Sequence, residues 1–310
     1  MSQEIRLRII GLREAINRMR MGEESSRQPR LEVHQSWWAM AGLGDGDREW
    51  PLEHKFDLIA EAGFTGILGR LPEPQDAKRW RYLLDQYGFS FGVHSFPATV
   101  QDLTDVLVRA ADFGVDYVNA QVMDAFVIGE DAIRLLDGLI RTAQRSAIPF
   151  YVETHRGRIT QDLIRTAEYV SKLPDLRLTI DMSHYVLGGE MESSNEKAER
   201  LIDRLLERTA CIHGRISNGQ QIQIDVGTSD LYHPITDNFM RWWEKGMNHW
   251  LQAAKQGDVL PFVCELGPPG YSIVHPETKR EISDRWHQAL VLKGLAEQAW
   301  MNAHPDDDCK

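Results

Sequence analysis

The feature that most constrains the fold is a regular alternation of short apolar segments with longer segments of helical periodicity. Eight strand-length apolar segments follow one another, at 33–40, 66–71, 90–96, 117–122, 149–155, 176–183, 210–216 and 261–266. Between them, apolar residues recur at helical spacing, as in 132–140. Strands that alternate with helices form βαβ units around a parallel sheet. Eight units in a chain of 310 residues fit the α/β (β/α)8 TIM barrel, which usually takes about 250 residues.

Glycines mark the helix ends that this fold requires. Gly63, Gly88 and Gly114 each stand shortly before a predicted strand, where a helix commonly ends on a left-handed residue. A doubly wound sheet is the alternative arrangement, but no GxGxxG motif follows the first strand. We therefore predict a single barrel domain over 31–302.

The two ends of the chain lie outside the alternation. Residues 1–30 carry apolar side chains at helical spacing with arginines around them, which predicts a helical extension. We expect this helix to pack beneath the barrel or against a second subunit in a homo-oligomer, and a basic membrane-surface helix is the alternative. Residues 303–310 include three successive aspartates and predict a solvated acidic tail.

Composition excludes several classes of protein. The chain has 35 Lys and Arg against 46 Asp and Glu, a net charge of −11, which argues against a nucleic-acid partner. Its three cysteines form no CxxC pair, so neither a disulfide framework nor a cysteine zinc site is expected. No apolar run reaches a membrane-spanning length and no secretory signal profile opens the sequence. We expect a cytoplasmic globular protein with no membrane partner.

Polar residues end four consecutive strands, the fifth to the eighth. They are Glu153, Asp181, His213 and Glu265. Active sites of (β/α)8 barrels lie at these carboxyl ends. One such residue alone could be a solvated rim side chain, but three carboxylates converging on a low-dielectric barrel mouth would repel one another unless neutralised. Carboxylates with an imidazole suit Mn²⁺, Mg²⁺, Co²⁺ or Zn²⁺. We predict a site for one divalent metal ion and favour Mn²⁺.

The order of these residues resembles a known family. The pattern runs Glu153, Asp181-x-x-His184, His213-x-Arg215, Glu265. It is similar to the xylose isomerase-like TIM barrel superfamily, especially its tagatose/psicose 3-epimerase branch. The resemblance implies that the two glutamates, the aspartate and His213 hold the metal, and that His184 and Arg215 contact substrate oxygens.

The same residue types support proton transfer on a keto-sugar or keto-polyol. A divalent ion chelated by a ketose carbonyl and the adjacent hydroxyl acidifies the C–H between them. Glu153 would remove a proton from one face of the carbon, and Glu265 would return one to the other. Arg215 or His184 would help to hold the enediolate oxygen. Alternatively, Arg215 is a structural partner of a rim carboxylate.

One departure from the epimerase pattern keeps a second reaction open. Where that branch usually has another acidic contact, this chain has His155-Arg156-Gly157-Arg158. The Glu-Thr-His sequence also resembles metal-dependent 3-dehydroshikimate dehydratases, in which the position matching His155 lies in the active site. His155 would then be the base of a β-elimination on a 3-dehydroshikimate-like or keto-sugar substrate. Isomerase or epimerase is the first interpretation, and dehydratase or other lyase the second.

Two further classes fit less well. Endonuclease IV shares the fold, but the fourth strand supplies Asn119 where a histidine ligand would be expected, and the acidic charge opposes a phosphate backbone. A non-catalytic sugar-binding barrel should have lost a ligand, whereas all four are present.

The remaining site predictions concern the walls of the pocket. His94 ends the third strand, and Trp38 is placed on the first strand, where an indole could stack on a sugar ring. Both are predicted to bind substrate, with core packing as the alternative. Arg156 and Arg158 could bind a substrate phosphate or carboxylate, although no glycine-rich phosphate loop follows the seventh strand. The sequence does not identify the sugar.

Overall fold

The computed structural model describes residues 28–46, 48–192, 196–228 and 231–303. Nearly all of the predicted extension 1–30 and of the tail 303–310 lies outside these residues. The barrel strands are β1 Arg30–Ser36, β2 Gly66–Gly69, β3 Ser90–Ser95, β4 Tyr117–Ala120, β5 Phe150–Glu153, β6 Leu178–Ile180, β7 Thr209–Gly214 and β8 Val259–Cys264.

These eight strands close into a barrel in the order β1-β8-β7-β6-β5-β4-β3-β2, with β2 pairing back to β1. All of these pairings are parallel. Each predicted apolar segment overlaps one strand, so the predicted TIM barrel is confirmed. Since every strand runs the same way, all carboxyl ends open at one face of the barrel.

The first strand differs from its predicted bounds. It ends at Ser36, and a short 3₁₀ helix occupies Trp38–Met40. The prediction that Trp38 lies on the strand is therefore wrong. Apolar composition alone does not separate a strand from the helical turn that follows it.

In the described chain one α-helix separates successive strands, except that two helices lie between β6 and β7. The α-helices are α1 Leu52–Glu61, α2 Ala77–Tyr87, α3 Val100–Phe113, α4 Gly129–Gln144, α5 Leu163–Lys172, α6 Met182–Gly188, α7 Glu196–Leu206, α8 Thr236–Ala253 and α9 Arg285–Ala303. Gly63, Gly88 and Gly114 follow α1, α2 and α3 with φ of 74°, 62° and 81°, as predicted for helix ends. None of these described helices is long and apolar enough to cross a bilayer.

The main core lies between the sheet and the helices. Trp242 and Trp243 of α8 are both 1% exposed and pack in this core. A smaller apolar layer lies inside the barrel, where Leu68, Tyr117, Cys211 and Val263 pack together. Gly92 makes room for this layer, because a Cβ there would lie 2.2 Å from the Tyr117 ring. The layer separates polar side chains at the two ends of the barrel interior.

Candidate metal centre and pocket

The carboxyl ends of four neighbouring strands bring the predicted metal ligands together. Glu153 ends β5, Asp181 follows β6, His213 lies in β7 and Glu265 follows β8. These four residues are between 0% and 3% exposed. One potential ligand atom from each lies within 4.8 Å of the others, which is close enough for one ion to contact all four.

His213 provides the strongest evidence that the cluster fits a cation. Its Nδ1 lies 2.9 Å from Glu265 Oε2 and 3.8 Å from Glu153 Oε1. Both ring nitrogens are nevertheless buried without a geometrically acceptable hydrogen bond, although buried polar atoms are normally satisfied. Carboxylates and imidazole match the ligand preferences of several divalent metals. The residues present therefore fit a divalent ion.

Arg215 neutralises part of the acidic cluster. Its Nη2 donates to Asp181 Oδ2 and, at 3.1 Å, to Glu265 Oε2, while its Nε donates to Ser183 Oγ at 3.0 Å. Burial lowers the pKa of Arg215, but Asp181 and Glu265 outweigh burial and raise it. The guanidinium is therefore a fixed positive charge beside the cluster. These contacts show the carboxylate pairing that the sequence left as an alternative to substrate contact.

Two side-chain amides orient Glu153. Asn119 Nδ2 donates to Glu153 Oε2 at 2.6 Å, and Gln121 Nε2 lies 3.1 Å from Oε1. These amides were not assigned to the site from the sequence. Asn119 and Gln121 stand two residues apart at the carboxyl end of β4, so they share one face of the strand. Burial raises the pKa of Glu153 to about 7, with Glu265 and Asp181 adding to the rise.

Glu265 has the opposite protonation preference. Burial raises its pKa, but nearby His213 and Arg215 outweigh that effect and hold it well below the usual range. His94 Nε2 is also 3.5 Å from Glu265 Oε1. Without a bound cation, the two carboxylates of this buried site thus favour different protonation states.

His155 and His184 lie beside the cluster with their ring centroids 3.9 Å apart. His155 Nδ1 donates to the Arg156 carbonyl, which leaves Nε2 as the unprotonated nitrogen of a neutral ring. Burial, with Arg215 nearby, lowers the pKa of His155 to about 4. The ring is therefore neutral at pH 7 and available as a base.

A second group of potential ligand atoms overlaps the first. It consists of Glu153, His155 and His184. The four-residue cluster is the better metal site, because it offers four ligand residues, three of them carboxylates, whereas the second group offers one carboxylate and two imidazoles.

A cavity of about 680 Å³ opens above the cluster. Among its lining residues are Trp38, His94, His155, Arg215, Glu265 and Tyr271. Trp38, 37% exposed, meets Tyr271 edge to face at 4.9 Å, so it reaches the pocket from the 3₁₀ helix. His184 is fully buried beneath the lining. Tyr271 was not predicted, because it lies in a loop after β8 without a local motif.

Comparison with known proteins agrees with this architecture. The family model described as xylose isomerase-like TIM barrel matches residues 56–214, about half of the chain. A search of curated proteins finds no significant match. Among solved structures, an L-ribulose 3-epimerase has a TM-score of 0.59 at 13% identity, covering 89% of this chain and 96% of its own.

Two further solved structures show the same fold. A D-allulose 3-epimerase from Methylomonas sp. has a TM-score of 0.53 at 16% identity, covering 88% of this chain and 98% of its own. An AP endonuclease, family 2, from Brucella melitensis has a TM-score of 0.51 at 16% identity, with coverage of 77% and 94%. At these identities the likeness shows the fold alone.

Proposed function

Because the chain belongs to the xylose isomerase-like TIM barrel family, we propose that it is a divalent-metal-dependent isomerase or epimerase of a keto-sugar or keto-polyol. The observation that carries this proposal is the buried ligand cluster on the floor of the cavity. Its His213 Nδ1 lies 2.9 Å from Glu265 and 3.8 Å from Glu153, and both of its ring nitrogens lack an acceptable hydrogen bond.

The metal in this proposal would be held by Glu153, Asp181, His213 and Glu265, and we favour Mn²⁺, with Mg²⁺, Co²⁺ or Zn²⁺ as alternatives. When bound, the ion supplies Lewis acidity that makes a C–H bond beside a carbonyl more acidic. Arg215 remains beside the cluster as a fixed positive charge, paired with two of its acids.

Glu153 and Glu265 move the proton. Asn119 and Gln121 fix the Glu153 carboxyl, while His213, Arg215 and the nearby His94 surround Glu265. One carboxylate removes the proton from one face of the carbon and the other carboxyl returns one to the opposite face. In the opposite direction of an epimerisation, the two groups exchange roles.

The other proposed site residues bind the substrate. His94 and Trp38 line the cavity, where the indole offers an apolar face for a sugar ring. Arg215 and His184 lie beside the ligand cluster, and they would stabilise the enediolate oxygen that forms when the proton leaves.

The geometry of His155 favours a second candidate, a dehydratase or other lyase. The residue lines the cavity and is a neutral imidazole whose Nδ1 is held by a backbone carbonyl. Its Nε2 could remove a proton next to a carbonyl before water leaves from the neighbouring carbon. Isomerisation and elimination share this first step and differ in whether a bond to oxygen then breaks.

A solvent-exchange experiment tests the proposal. The protein is loaded with Mn²⁺ or treated with EDTA and incubated with a panel of keto-sugars in D₂O, and products are followed by NMR. We expect deuterium at the carbon beside the carbonyl and conversion without water loss in the loaded sample. Equal turnover in the EDTA-treated sample would overturn the metal-dependent mechanism.

His155→Ala separates the two candidates. An epimerase should keep much of its rate, because Glu153 and Glu265 remain in place. A lyase should lose most of its activity in this variant. The product that the parent protein forms should then show enone absorbance. His287→Ala, at an exposed position of α9, provides a control for substitution of a histidine outside the site.

A further inference from the structure

Two arginines at the mouth of the cavity have no carboxylate partner within the described chain. Arg70 is exposed, and its Cζ lies 5.2 Å from the centroid of the Phe96 ring. Arg158 approaches the same ring at 5.5 Å, and its Nη1 donates to the Met123 carbonyl at 3.2 Å. Most guanidinium donors of the pair therefore remain available for a ligand.

The other cations in the cavity wall are already neutralised. Lys55 pairs with Glu49, and Arg215 pairs with two acids of the ligand cluster. The lining retains the exposed carboxylate of Glu73. The two positive charges of Arg70 and Arg158 exceed the single negative charge of Glu73. The mouth of the cavity therefore has a net positive charge, while its floor is acidic.

The two ends of the cavity are joined by a short path of side chains. His94 Nε2 lies 3.5 Å from Glu265 Oε1, and the His94 ring stacks with Phe96 at 6.3 Å between centroids. The Phe96 ring in turn makes cation–π contacts with the guanidinium groups of Arg70 and Arg158. The acidic floor and the two arginines therefore line one cavity.

We infer that Arg70, Arg158 and Phe96 form an anion subsite for a carboxylate or phosphate at the substrate end remote from its hydroxy-ketone. The hydroxy-ketone half of this statement rests on the proposed function. Guanidinium forks match the oxygens of both anions, and the Phe96 ring orients the forks through cation–π contact. The substrate class is thus an acidic keto-sugar or a keto-sugar phosphate.

Arg156, the other cation considered from sequence, occupies a different position. Its Cζ lies 5.3 Å from the Tyr271 ring, which Arg215 also approaches at 5.0 Å. Arg156 is therefore not one of the two arginines that contact Phe96. Of the two sequence candidates for anion binding, only Arg158 is assigned to this subsite.

Matched ligands test the subsite directly. D-Fructose, D-fructuronate and D-fructose 6-phosphate share one hydroxy-ketone end and differ at C6. Calorimetric titration of the full chain should show at least one anionic ligand binding at least about tenfold tighter than fructose, the effect expected of a charge-assisted hydrogen bond. The advantage should shrink with added NaCl. Equal binding of all three would overturn the inference.

A double variant locates the effect. Arg70→Gln with Arg158→Gln should remove the preference for the anion, whereas Arg141→Gln, on the exposed face of α4, should retain it. If the preference survives in the double variant, the subsite is wrong. If none of the three ligands binds, ³¹P line widths of inorganic phosphate and ¹³C line widths of acetate give a second test, and unchanged widths for both would overturn the inference.

The outcomes separate this inference from the proposed function. Deuterium exchange into a neutral ketose, with no preference for its anionic analogues, supports the enzyme and rejects the subsite. A preference that depends on Arg70 and Arg158, with no exchange in any ligand, supports the subsite and rejects the isomerase.

Discussion

Buried histidine and carboxylate side chains occupy both ends of the same barrel interior, separated by the apolar layer around Tyr117. The lower cluster lies near the amino ends of the strands and contains Glu32 and His34. The upper cluster lies at the carboxyl ends and contains the four candidate ligands. The two clusters use similar groups and differ in how completely hydrogen bonds satisfy them.

In the lower cluster the Glu32 carboxylate and both ring nitrogens of His34 have hydrogen-bond partners. Glu32 accepts from Ser90 Oγ at 2.5 Å and Arg30 Nη2 at 2.9 Å, and it lies 3.3 Å from His34 Nε2. His34 Nδ1 is 3.1 Å from the Tyr117 hydroxyl. Burial raises the pKa of Glu32, but these partners outweigh burial and lower it to about 2.

The upper cluster leaves polar groups unsatisfied. Both nitrogens of His213 and Nδ1 of His184 are buried without a hydrogen-bond partner, and burial with neighbouring acids raises the pKa of Glu153 to about 7. A satisfied cluster specifies the fold, while an unsatisfied one retains capacity for a ligand. The contrast supports metal binding at the upper end and a structural role at the lower end.

The largest expected effect is on catalysis. Glu153→Gln should lower turnover by about 10²–10⁴-fold, because a proton-transfer group and a ligand are lost together. The metal-free variant should remain at least as resistant to urea as the parent, since an amide avoids burying a charge. Turnover comparable to that of the parent would contradict the assigned role.

Metal should stabilise the parent through the upper cluster. Mn²⁺ at about 100 times its Kd should add about 2.7 kcal/mol to the free energy of unfolding by mass action, raising Tm. Glu265→Gln should lose most of that rise in a thermal scan, whereas Glu32→Gln should keep it. An equal rise in the Glu265 variant would place the ion elsewhere.

The lower cluster should affect stability without affecting chemistry. Glu32→Gln should cost about 2 kcal/mol of unfolding free energy, because hydrogen bonds to an ionised carboxylate are weakened. kcat of the folded variant should be unchanged. Glu53→Gln removes a half-exposed pair with Arg79 and should cost less than about 1 kcal/mol, which provides the control in urea titrations. A clear loss of kcat in the Glu32 variant would contradict the division of roles.

The smallest expected effect is an opposite pH dependence of the two clusters in metal-free protein. The lowered pKa of Glu32 gives stability that is present above its ordinary value of 4.5 and is lost as the pH falls towards 2. The raised pKa of Glu153 makes stability decrease as the pH rises from 4.5 towards 7. Urea titrations at a series of pH values should show that Glu32→Gln weakens the loss of stability below pH 4.5. Glu153→Gln should weaken the decrease in stability between pH 4.5 and 7. The same slope in both variants would contradict this assignment.

The strand pattern and the convergence of the four candidate ligands could be predicted from the sequence, because both depend on local patterns. Apolar runs mark the strands, and a residue at the end of a parallel strand must lie at one face of the barrel. Alternation along a strand places Tyr151 on the same face as Glu153, and Cys211 on the same face as His213. In agreement with this, Tyr151 packs against the inner layer that contains Cys211.

Contacts across long sequence separations could not be predicted in the same way. Tyr271 reaches Trp38 only through the closed barrel, and Phe96 acquires Arg70 and Arg158 from two other loops. Trp38 was misplaced because a strand and a following 3₁₀ turn share the same apolar composition. Asn119 and Gln121 share one face at the end of β4. Because their amides are neutral, however, the sequence did not indicate that they would donate to the candidate ligand Glu153.

Metal content of three purified proteins tests the central claim most directly. The parent and His34→Ala should each bind one equivalent of Mn²⁺ per chain after dialysis, measured by mass spectrometry of the metal, and His213→Ala should bind none. A parent that binds no divalent ion, or a His213 variant that binds as much as the parent, would contradict the assignment of the upper cluster as the metal site.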